Sequence, residues 1–255
     1  MRAVSIPEVV TILDTIIADC RAKQSRLGYF AMLYKLMTEA VIKGIGAGIF
    51  QDNARMEKLD VQFANRYLEA YFNYTNGKPV TTSWKIAFDA AKQDDLIVVQ
   101  HLLLGINAHI NLDLGIAAAD ICTVDNVHEL QADFVKINDT IADVYGALQP
   151  RFVKISWPAI FLSKIDPRVT NAVINFSIVK AREVAWGNAL LLCNSSANRD
   201  EIIDATDNIV LEVANAVKHP SALKNLGLKI IHLFESKDVA GNIDKLGELK
   251  AGTLS

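Results

Sequence analysis

The sequence predicts an all-α fold, a single bundle-like domain of many helices with two long buried helices at its centre. Three observations carry this reading. Apolar residues recur at helical spacing from end to end. Helix-start signals of the Ser-x-x-Glu and Asp-Pro kinds punctuate the chain, and there are no alternating apolar and polar runs joined by hairpin turns. No Pro/Gly/Ser-rich linker divides the 255 residues and no repeat of fixed period appears. The expected organisation is therefore one helical domain over residues 1–236, followed by a polar, Gly-containing tail over residues 237–255.

Ser5 caps the first helix, Pro7 fits its first turn and Glu8 stands three residues after the cap, so the helix is expected to run to about Gln24. A second starts near Leu27, carries Tyr29, Phe30, Leu33, Leu36 and Met37, and passes into GIGAG, Gly44 to Gly48, where helix propensity falls. The third spans about Met56 to Tyr74, with Val61, Ala64, Leu68 and Tyr71 on one stripe. Asn76-Gly77 followed by Pro79 marks a loop, after which Ser83 or a preceding threonine caps a short helix holding Trp84 and Phe88.

Residues 96–122 form one long apolar helix. Thr123 to Asp125 start the next, through Tyr145, and Pro150 and Pro158 bracket a less regular stretch around Trp157. Asp166-Pro167 restarts a long helix reaching about Cys193. Asn198 with Glu201 opens another that ends near His219-Pro220, and Ser221 opens a last one through about Phe234.

Lys and Arg total 26 against 29 Asp and Glu, scattered rather than gathered on one face, which argues against nucleic-acid binding. Cys20, Cys122 and Cys193 form no CxxC pair and read as small core residues in a reducing compartment. The start MRAVSIPEVV lacks the apolar block and cleavage site of a secretory signal, so a cytoplasmic location is expected. His101, His109, Asp113 and Asp120 interrupt the most apolar region, which then lacks the roughly 18 uninterrupted apolar residues of a spanning helix, and no transmembrane segment is expected. Hydrophobic residues make up 51% of the chain, enough to leave spare apolar surface for a homo-oligomer.

The segment most informative about function is QHLLLGINAHINLDLGIAAAD, residues 100–120. At about 100° per residue, His101, His109, Asp113 and Asp120 share one side of the helix while Asn107 and Asn111 lie on another. His109 and Asp113, at i and i+4, project together and suit two ligands of one divalent metal ion; His101 lies about 12 Å further along the axis. Further ligands would come from other helices, with Glu183, Asp60 and Asp52 as candidates. The alternative is a buried network in which Asp113 orients His109 and either Arg182 or Arg66 neutralises the carboxylate. FANRYLEAYFNY, residues 63–74, mixes aromatics with Asn65 and Arg66 as a pocket wall would, or as an aromatic core with one snorkelling arginine. In VKAREVAWGNALLL, Trp186 stands one turn after Arg182 and is placed to cover it.

GYFAMLY (28–34), LDVQFANRYLEAY (59–71), the Trp84/Phe88 segment and LLGINAHINLDL (103–114), with a weaker echo at Arg182 and Trp186, resemble a bacterial family of uncharacterised all-helical proteins, the domain of unknown function 5995. The resemblance covers about the first half of the chain and implies a helical fold with no established activity, substrate or cofactor.

From the residues themselves, the expected function is a small-molecule site built around His109 and Asp113 between long helices. As an enzyme it would be a metal-dependent hydrolase, with His109, Asp113 and Glu183 on the ion; without a metal, His101 or His109 is the general base. Asn65, Arg66, Asn107, Asn111, Arg182 and Trp186 are the candidate ligand-binding residues. The alternative is a non-enzymatic structural or interaction protein whose buried polar row fixes helix packing.

Overall fold

In the computed structural model, which describes residues 1–155 and 178–248, helices account for nearly every described segment and no strand is present among the described residues. The all-α class follows. The order is α1 (Ile6–Ala22), α2 (Leu27–Gly46), α3 (Asn53–Thr75), α4 (Thr82–Ala90), α5 (Val98–Ile121), α6 (Gln131–Ile155), α7 (Ile178–Asn194), α8 (Arg199–Lys218), α9 (Ala222–Phe234) and α10 (Val239–Gly247).

Local chemistry explains several of these starts and stops. The Ser5 hydroxyl accepts the Glu8 N–H, while the Glu8 carboxylate turns back to the Val4 N–H. Asp52 caps α3 by accepting from the Arg55 N–H. The second helix ends at Gly46, with Gly48 beyond it at φ +66°, a left-handed conformation that favours glycine.

Other ends are closed by distant side chains. Asp207 on α8, and not Ser83 or a neighbouring threonine, caps α4, taking the N–H groups of Thr82 and Ser83. Glu235, after α9, accepts the Val98 N–H at the start of α5. Asp133 on α6 accepts the Gln51 and Asp52 N–H groups in front of α3. Asn198 and Ser221 form no side-chain cap.

At the centre, α5 packs against α2, α3, α4, α7 and α8. By length and hydropathy its 24 residues would cross a bilayer, but 78% of its most apolar window is buried inside the protein. It is a core helix. Its regular turns are interrupted at His109–Asp113 by a single π-helical turn, a local widening that occurs often at functional sites. The second expected central helix is less enclosed: Arg182, Ala185 and Ala189 of α7 are buried, whereas Val184 and Leu191 face outward.

Two expectations need correcting. Helix α6 runs to Ile155, ten residues beyond Tyr145 and through Pro150: burial of Leu148, Arg151 and Ile155 by tertiary packing offsets the lost N–H bond and the crowding of the preceding turn that a proline brings. Trp157, Pro158 and Asp166-Pro167 lie outside the described residues. The chain from residue 237 is not simply a polar tail: α10 buries Val239, Asn242, Ile243 and Leu246 against α1, α2 and α6, and its start is capped by Asp238. With only nine residues, its amphipathic face is easily missed among Gly and charged neighbours.

Candidate functional site

The π turn of α5 presents His109 and Asp113 to α2, α3 and α4. Both are buried, at 2% and 1% exposure. Asp113 accepts three hydrogen bonds: Oδ1 from Arg66 Nε at 3.2 Å, Oδ2 from Trp84 Nε1 at 2.8 Å, and Oδ2 from His109 Nδ1 at 3.2 Å. Of the two arginines proposed to neutralise this carboxylate, Arg66 does so. Arg182 instead donates to the Phe134 carbonyl and lies over the Phe134 ring at 4.4 Å; burial brings its pKa down to about 9. Trp186 also packs on Phe134.

Because Asp113 takes the Nδ1–H, the neutral His109 ring carries its lone pair on Nε2. That atom is buried without a hydrogen-bond partner among the described residues. Around the imidazole stand Phe63, stacked at 3.6 Å, Tyr34 at 4.5 Å in a T-shaped contact, Phe30 at 5.8 Å, Trp84 at 5.9 Å and Tyr67 at 6.1 Å. Burial lowers the His109 pKa, and the Asp113 hydrogen bond and charge only partly oppose this. The ring is held neutral. Gly105 makes room for the cage: a Cβ there would collide with the Phe30 ring.

Further polar atoms end in the same interior. The Tyr67 hydroxyl and the Oδ2 of Asp60 are buried without a hydrogen-bond partner among the described residues, and the buried Tyr34 and Thr38 hydroxyls face each other. Phe30 meets Tyr67 and Tyr34 meets Phe63, so α2 and α3 run antiparallel here, and Asp60 stands near Tyr34. Desolvation, with a small push from Glu57, raises the Asp60 pKa to about 7. The solvent-facing edge is formed by Phe63, half-buried, and by Arg66, whose side chain is 30% exposed.

The other expected site residues go elsewhere. His101 is buried beside Tyr29, its pKa pushed down to about 4 by burial and by Arg26, and it does not join His109. Asn65 pairs with both backbone groups of Ala3. Asn107 donates to the Val210 carbonyl and accepts from Asn111, tying α5 to α8 on the side away from the dyad. Asp120 meets Arg199 and Gln62 at the surface.

The metal set does not form as expected. Glu183 is exposed on α7, Asp52 is a helix cap, and no three His, Cys, Asp or Glu side chains come together to hold an ion among the described residues. Moreover, both Asp113 oxygens and His109 Nδ1 are already engaged within the protein. Trp84, Tyr34, Phe63 and Tyr67 are the participants that the motif around His109 did not reveal. Phe63 and Tyr67 left a signal as aromatics in the 63, 67 and 71 stripe of one helix, whereas Tyr34 and Trp84 come from two other helices.

A family model described as "Family of unknown function (DUF5995)" matches residues 6–220, a range that contains the whole cluster and ends before α9 and α10. No curated protein and no solved structure matches the chain.

Proposed function

As the chain belongs to the family of unknown function DUF5995, which brings no activity with it, we propose a function from the site alone: the protein binds a small molecule that donates a hydrogen bond to His109 Nε2. The observation that carries this reading is that Nε2, a lone pair whose tautomer is fixed by Asp113 and which faces an aromatic interior without a partner among the described residues. A buried acceptor left unpaired costs about 1–3 kcal/mol. A ligand that donates to Nε2 recovers this energy.

The same arrangement supports proton transfer. An imidazole oriented by a buried carboxylate can take a proton from a bound molecule at Nε2, and the carboxylate then stabilises the imidazolium. Arg66 and Trp84 hold Asp113 in place for that role. Metal-assisted hydrolysis lacks a third ligand among the described residues: Glu183 is exposed on α7, and both Asp113 oxygens already accept from Arg66, Trp84 and His109.

A second reading, a non-enzymatic protein whose polar row fixes helix packing, is favoured by the closure of Asp113 against donors from two neighbouring helices, α3 and α4, and from His109 on its own helix. Titration of small fragments into protein labelled with 15N-histidine separates the two. On the binding reading, a fragment shifts the His109 Nε2 resonance and raises Tm, and His109→Phe abolishes both effects. A panel that leaves Nε2 and Tm unmoved overturns it in favour of packing.

A further inference from the structure

Resting on the ligand-binding reading above, we propose that the ligand is a cation of the ammonium class, with its charge against Asp60 and the rings of Tyr34 and Phe63 and an N–H directed at His109 Nε2. Two of the unpartnered atoms agree in chemical kind. His109 Nε2 and Asp60 Oδ2 are acceptors, whereas the Tyr67 hydroxyl and the Tyr34 and Thr38 hydroxyls, which face each other, can both donate and accept. The two groups with no donor of their own, His109 Nε2 and the Asp60 carboxylate, ask for donors, and an ammonium group supplies up to three on one atom.

The geometry places these groups along one seam. Asp60, Phe63 and Tyr67 share a face of α3 at i, i+3 and i+7, and Tyr34 and Thr38 share a face of α2 at i and i+4. Tyr34 touches Phe63 at 6.0 Å, Tyr67 at 5.7 Å and His109 at 4.5 Å, which makes it the link between the Asp60 end and the imidazole. Aromatic faces carry negative potential and attract a desolvated cation. Asp60 lacks an ion pair among the described residues, and the charged group acting on it is the acidic Glu57. By contrast Asp113, at the other end, has Arg66. An anionic or neutral acceptor-type ligand would add repulsion beside Asp60, whereas a monovalent ammonium compensates it.

The test compares n-butylammonium with 1-butanol, which has the same heavy-atom count and shape, on the full chain at pH 8, following His109 Nε2 by 15N NMR. Native protein is expected to bind the ammonium at least tenfold more tightly than the alcohol, and Asp60→Asn to abolish that difference. Equal binding of the two compounds to native protein, or a preference that persists in Asp60→Asn, overturns the cationic class while the site at His109 stands. Failure of both compounds to move Nε2 overturns the proposal together with the site.

Discussion

Replacing Asp60 by asparagine should stabilise the protein above neutral pH and change it much less near pH 5. The carboxyl is buried, and its pKa rises from 3.8 to about 7 because water is removed from the charged form. Between those values the folded chain keeps a proton that the unfolded chain has released, so stability falls as pH rises through the interval and the full cost is reached above pH 7. Three pKa units at 1.36 kcal/mol each set a ceiling of about 4 kcal/mol, of which about 3 kcal/mol develops between pH 5 and pH 8. Local relaxation reduces both figures. The isosteric amide keeps the volume and does not titrate. Urea denaturation followed by tryptophan fluorescence at pH 5, 6.5 and 8 would give the comparison. The gain in Asp60→Asn should grow with pH, whereas parallel stability profiles for the two proteins would refute the argument and place the carboxylate in contact with water or a cation.

Two further outcomes follow from the packing. Asp113→Ala leaves Arg66, Trp84 Nε1 and His109 Nδ1 without their acceptor and should cost about 3–5 kcal/mol in urea denaturation; an unchanged transition would show that the carboxylate does not hold these helices together. Truncation after Asp238 removes the buried Val239, Ile243 and Leu246, worth about 1.5–3 kcal/mol each, and should lower Tm markedly or abolish folding, while a chain ending at Asp238 that melts like the full protein would show that α10 is dispensable.

Local energies made much of this protein legible from its sequence. The cap formed by Ser5 and Glu8 and the loop at Asn76-Gly77 depend on residues within a few positions of one another, and the apolar periodicity that defines α2, α3 and α5 is equally local. The spacing of His109 and Asp113 already placed them on one face of a buried helix, and that of Asn107 and Asn111 placed them on another. What only the tertiary structure decided joins segments far apart in the chain. Arg66 rather than Arg182 neutralises Asp113, Trp84 supplies its third donor, Asp207 and Glu235 cap helices more than a hundred residues away, and α10 closes over α1, α2 and α6. A helix signal is a sum over neighbouring residues, whereas the choice between two arginines, or the placing of Asp60 beside Tyr34 and away from any cation among the described residues, depends on how whole helices pack together.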